Sequence, residues 1–97
     1  MLIKGVSDPE QFGRISYGVN GQNVRVNHFV TRTATKEHPF EPHKHEQEEL
    51  WFILEGHGIA VEDGQEFTVK SGDLIHTRSW VEHGLKTDDK VVFICLG

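Results

Sequence analysis

Apolar and polar residues alternate in short runs along this chain, and glycine or proline punctuates them every eight to twelve residues. From Val24 to Thr31 the period is two. Val24, Val26, His28 and Val30 share one face, and Arg25, Asn27, Phe29 and Thr31 share the other. Met1 to Lys4 reads as a short edge strand. Ser7, Asp8, Pro9, Gly13 and the pair Asn20-Gly21 are turn signals. Thr31 to Pro42 is polar, broken by Pro39 and Pro42, and reads as a loop. Glu49 to Leu54 is a run of the kind that forms a buried strand.

A hairpin follows, with Gly58–Val61 and Glu66–Val69 as its arms. Matching apolar faces favours a three-residue loop of Glu62, Asp63 and Gly64, which sets Ile59 opposite Phe67. Leu74–Thr77 is a short strand, Arg78-Ser79-Trp80 a loop, and residues 90–96 a last strand. No stretch carries a helical period. The pattern predicts a single all-β domain over 1–97, a sandwich or barrel.

Phase adds a further expectation. If Glu49 points inward, Trp51 and Ile53 do too, while Leu50, Phe52 and Leu54 face the other way and need cover. A second copy of the chain is one candidate for that cover. Composition points the same way: 97 residues with 36% hydrophobic content make a small core, for which a metal or a partner subunit supplies stability. A homodimer is therefore expected.

The formal charge of −5, without a basic run, argues against nucleic acid or an anionic membrane as partner. No apolar run is long enough to span a bilayer, and the N-terminus lacks a signal-peptide core. The single cysteine, Cys95, excludes an internal disulfide and sits in an apolar run as a small buried thiol. A reducing, cytoplasmic setting follows as the expectation.

The candidate chemistry is concentrated in residues 39–58, PFEPHKHEQEELWFILEGHG. His43 and His45 are two apart, so an extended backbone puts both imidazoles on one face. Glu49 follows after three intervening residues. Two imidazoles and a carboxylate that can all point inward suit a divalent transition metal.

These residues, with others downstream, resemble the cupin family. His43-x-His45-x-x-x-Glu49, then six residues and Gly56, resembles the first cupin motif; Gly72-Asp73 with His83 eleven positions after Gly72 resembles the second. The resemblance implies a jelly-roll-like β-barrel of two antiparallel sheets. It also implies one divalent metal ligated by His43, His45, Glu49 and His83. Four positions depart from the pattern: Glu37 replaces a glycine, Arg78 a proline, Trp80 a glycine and Thr87 an asparagine. None is a ligand position, but the loop 78–82, and any substrate tied to it, is placed outside the family pattern.

Three imidazoles and one carboxylate suit Mn, Fe, Co, Ni, Cu or Zn better than Mg or Ca. An octahedral ion would keep two positions open; a tetrahedral zinc would be closed and structural. The expected function is a metal-dependent enzyme, of oxygenase, isomerase or lyase type, acting on a small polar metabolite. His57 and His76 are the candidate catalytic proton carriers. The alternatives are a non-catalytic small-molecule-binding or sensory cupin, and a barrel with a structural metal. Trp51 is expected either to wall the pocket or to fill the core. Arg78 is a candidate for binding an anion at the mouth, and His28 and His38 are non-ligand histidines.

Overall fold

The period-two pattern becomes nine strands in a computed structural model that describes residues 15–19, 22–26 and 29–97. The expected edge strand at Met1–Lys4, the turns at residues 5–13 and 20–21, and His28 lie outside the described residues. β1 (Ile15–Val19) and β2 (Gln22–Val26) form an antiparallel pair. The remaining seven strands form one antiparallel network: β3 (Phe29–Thr35), β4 (Phe40–His43), β5 (Glu49–Glu62), β6 (Gln65–Lys70), β7 (Leu74–Thr77), β8 (His83–Lys86) and β9 (Lys90–Leu96).

β5 organises this network. Its first half pairs with β7 and β9, and β9 pairs onward with β3. Its second half pairs with β6 and β8, and β8 pairs onward with β4. The result is two antiparallel layers sharing one strand, the curled all-β architecture that the resemblance implies. No helix occurs among the described residues.

Two expected strands, 49–54 and 58–61, are therefore one strand of 14 residues. Gly56 does not end it. Instead the register with β9 slips between Ile53 and Glu55, a β-bulge beside Gly56, whose φ is +83°. A Cβ at Gly56 would stand 2.2 Å from the Lys90 carbonyl oxygen, so only glycine fits. The bulge also reverses the strand's phase. Glu49, Trp51 and Ile53 face inward before it, and Gly58 and Ala60 are the buried positions after it.

The hairpin loop differs from expectation as well. Glu62 pairs with Gln65 and Ile59 with Thr68, leaving a two-residue turn of Asp63 and Gly64. Both have positive φ, +49° and +79°, as a type I′ turn requires, and its twist matches that of the strands. The polar stretch 31–42 is also more ordered than a loop. β3 continues to Thr35 against β9, and β4 begins at Phe40.

The core lies between the layers. Trp51, Ile53, Phe93 and Val91 are fully buried, with Val30, Ala34, Val69, Leu85 and Cys95 around them. Each large side chain buried there contributes about 1.5–3 kcal/mol. Phe40 meets the core edge-on, its ring centroid 5.1 Å from that of Trp51 and 5.7 Å from that of Phe93. The outer row keeps its expected phase: Leu50, Phe52 and Leu54 are 36%, 37% and 47% exposed.

Candidate metal centre

Two neighbouring strands of one layer contribute the histidines. His43 ends β4, His45 follows it just beyond the strand, and His83 opens β8. His43 and His83 are register partners. One donor atom from each of His43, His45 and His83 lies within 4.8 Å of the others. The ring centroids are 5.3 Å apart for His43–His45, 4.6 Å for His43–His83 and 4.7 Å for His45–His83.

Hydrogen bonds to groups that can only accept fix the tautomers. His43 Nδ1–H donates to the Glu41 carbonyl at 3.0 Å, and His83 Nδ1–H donates to the Val81 carbonyl at 2.9 Å. Each neutral ring then carries its lone pair on Nε2. His45 differs: its Nε2 lies 3.4 Å from Glu49 Oε1, an ion-pair distance, and its Nδ1 is buried without a partner. Backbone carbonyls are partners that commonly orient metal-bound imidazoles.

The inward nitrogens are the unusual feature. His83 Nε2 and His45 Nδ1 are buried without a hydrogen-bond partner. Leaving a buried polar group unsatisfied costs about 1–3 kcal/mol. A divalent ion bound by both nitrogens removes that cost, so the donor set fits a metal. Burial pushes the His83 pKa down, and the neighbouring His43 and His45 act in the same direction, against the Val81 carbonyl bond and Glu49. Lowering it favours the neutral, ligating form.

Glu49 stands beside this trio and is not part of its closest grouping. Its Oε1 accepts the Trp51 Nε1–H at 3.2 Å and faces His45. Its backbone is clamped to β7: the Glu49 N–H donates to Thr77 Oγ1, and the Thr77 hydroxyl donates to the Glu49 carbonyl. Trp51 fulfils both of its expected roles. It is fully buried with its N–H satisfied, and its ring stands edge-on to His83 at 5.2 Å. Cys95 lies opposite Trp51 on β9. Burial, with the Glu49 carboxylate nearby, pushes its thiol up to about 12, so it stays protonated and unreactive.

A cavity of about 500 Å³ opens against His83, between the β5–β6 hairpin and β7. His76 lines its mouth, with Nε2–H donating to Glu48 at 3.0 Å. His57 lies elsewhere. The reversed phase of β5 turns it outward over a separate hollow, where its Nε2–H donates to Asp88 at 3.2 Å. His38 is exposed.

The sequence reading passed over Glu62, having placed it in the hairpin loop. Glu62 is the register partner of His83, and both line the cavity. Arg78 clamps it, Nε and Nη2 both donating to Oε1, the former at 2.9 Å. The missed signal was the Asp63-Gly64 pair, which as a type I′ turn keeps Glu62 on the strand. Two residues after Arg78, Trp80 adopts φ +60° and its backbone N–H donates to the His45 carbonyl at 2.8 Å. This bond ties the loop 78–82 to the histidine segment.

The cupin domain family profile matches residues 29–97 of this sequence. Among curated proteins, none matches it. Solved structures share the fold. A predicted oxalate decarboxylase from Thermotoga maritima is 19% identical with a TM-score of 0.67, covering 93% of this chain and 95% of that one. A cupin 2 conserved barrel domain protein from Rhodopseudomonas palustris is 16% identical with a TM-score of 0.67, covering 84% and 68%. The polyketide cyclase RemF from Streptomyces resistomycificus is 25% identical with a TM-score of 0.60, covering 70% of this chain and 52% of that one.

Proposed function

Because this chain belongs to the cupin domain family, we propose that it holds one divalent transition metal on His43, His45 and His83, with Glu49 as fourth ligand. Mn, Fe, Co, Ni, Cu and Zn all suit that donor set. The observation that carries this reading is the pair of buried, unpartnered ring nitrogens on His45 and His83. When bound, the ion supplies Lewis acidity toward an oxygen of a small molecule in the adjoining cavity. The chain's own groups do the rest. Backbone carbonyls hold His43 and His83 in their ligating tautomers. The Trp51 N–H orients Glu49. His76, paired with Glu48 at the cavity mouth, is placed to exchange protons with solvent.

The function proposed is a metal-dependent enzyme acting on a small, oxygen-bearing metabolite by an oxygenase, isomerase or lyase step. Two neighbours in fold are described as a predicted oxalate decarboxylase and a polyketide cyclase, which supports small oxygen-bearing organic molecules as the substrates to search. A non-catalytic ligand-binding role is the second reading. The observation favouring it is that His57, one of the two proton carriers expected, opens on a different hollow.

The outer row of Leu50, Phe52 and Leu54 supports a homodimer in which these side chains are covered. No helix among the described residues is long and apolar enough to cross a membrane. With its single cysteine, Cys95, a buried thiol outside any disulfide, a cytoplasmic setting is the one we propose. The direct test is metal analysis of protein purified without a histidine tag or chelator. Stoichiometric metal is expected; no metal, and no uptake of Mn, Fe, Co, Ni, Cu or Zn, defeats the reading. Azide perturbing the spectrum of a Cu(II) form would mark an open site, and no perturbation a closed, structural one.

A further inference from the structure

Resting on the metal-centre reading, we infer that the cavity beside His83 takes an amphipathic monocarboxylate: one anionic oxygen head at the histidines and an aromatic or branched aliphatic body along the walls. The walls are the reason. Ala60, Val61, Phe67, Val69, Leu74 and Ile75 line most of the cavity, and the Trp51 ring closes it beside His83. The polar side chains that share the lining already have partners. Thr77 exchanges two hydrogen bonds with the Glu49 backbone, the Trp51 N–H is held by Glu49, and His76 is held by Glu48. Arg78 is neutralised by Glu62.

One lining nitrogen is different: His83 Nε2 is buried, lone-pair-bearing and unpartnered. With a metal held on that nitrogen, a ligand finds a single strong polar anchor at one end and carbon along its length. Phe67 and Leu74 are 48% and 59% exposed, so apolar surface faces the opening, and a ligand body removes it from water. A compact dianion meets the opposite situation. Its second carboxylate faces either carbon or a guanidinium whose charge Glu62 already balances, so it gives up hydration without a replacement partner. The polarity expected of the metabolite is thus confined to its head, and the body fits the 500 Å³ available.

The test is calorimetric titration of phenylacetate, acetate and oxalate into zinc-loaded and metal-free protein, with metal content measured on the same samples. Phenylacetate is expected to bind roughly tenfold or more tightly than acetate, from burial of its ring, and more tightly than oxalate. Phe67→Lys should bring phenylacetate and acetate toward parity while leaving metal uptake unchanged. Leu74→Lys, at an exposed position, gives the same readout if Phe67→Lys does not fold. Equal binding of phenylacetate and acetate, or tighter binding of oxalate in the zinc form, overturns the inference. Normal metal uptake with that reversed ranking leaves the metal reading standing. No metal uptake removes both the metal reading and this inference, because a bare ring lone pair has nothing to offer a carboxylate, which is itself only an acceptor.

Discussion

Five described histidines bear on the site, and they fall into two kinds. His43, His45 and His83 bring ring nitrogens toward one another, and two of their nitrogens are buried without partners. His57 and His76 are exposed, and each ring donates to a carboxylate, Asp88 or Glu48. The residue type is the same, and what separates the kinds is where the backbone aims them. Nδ1 held by a carbonyl two residues away, as in His43 and His83, is a local device that leaves Nε2 free to ligate. A ring nitrogen already spent on an exposed carboxylate is a surface pair worth less than about 1 kcal/mol.

The sharpest way to disturb this contrast is at Gly56, whose bulge turns His57 out. Gly56→Ala combines left-handed backbone strain with a clash against Lys90. It should cost about 3 kcal/mol or more in chemical denaturation. Next come the histidines themselves. His83→Ala should weaken metal affinity by about a hundredfold or more, beyond the ten- to hundredfold typical of losing an outer partner. His57→Ala and His76→Ala should each stay within about threefold, measured by competition with a chromogenic chelator. Equal losses at His83 and His57 would dissolve the distinction between the two kinds.

Much of this was legible in the sequence, and the limits have physical causes. Spacing located His43 and His45, because an extended backbone puts alternate side chains on one face, and the resemblance to the second cupin motif added His83. Alternation located β7, β9 and the first half of β5. The second half of β5 was misread because its buried face is Gly58 and Ala60, while Ile59 and Val61, larger and more apolar, are only partly buried. Matching apolar faces across the hairpin therefore favoured the wrong register, and Glu62 fell into a loop instead of onto the strand beside His83. Small inward residues leave room for a cavity, and they carry almost no hydrophobic signal.

Two smaller effects sharpen the comparison further. Metal-free protein should lose stability as pH falls. With its folded pKa below the unfolded value of 6.5, His83 contributes stability that is fully present above 6.5. That contribution is lost as pH drops through the folded pKa. Thermal melts across this range should show the decline in the wild type and a shallower one in His83→Gln. Trp80→Gly should raise stability by about 0.5–1 kcal/mol, since Trp80 sits at φ +60° with its side chain 62% exposed. A loss instead would mean the indole makes a contact that outweighs its backbone strain.

The pairing of β4 has a kinetic consequence. Among the described residues its register partner is β8 alone, through Phe40–Leu85 and His43–His83, with an irregularity between them. β5, by contrast, is paired along both of its edges. Strands held this lightly open first in native-state fluctuations, and this one carries His43 and delivers His45. Residues 40–45 should exchange their amide hydrogens well before those of β5 and β9. Loading and release of an ion would then be paced by the peeling of one short strand, while the rest of the barrel stays closed.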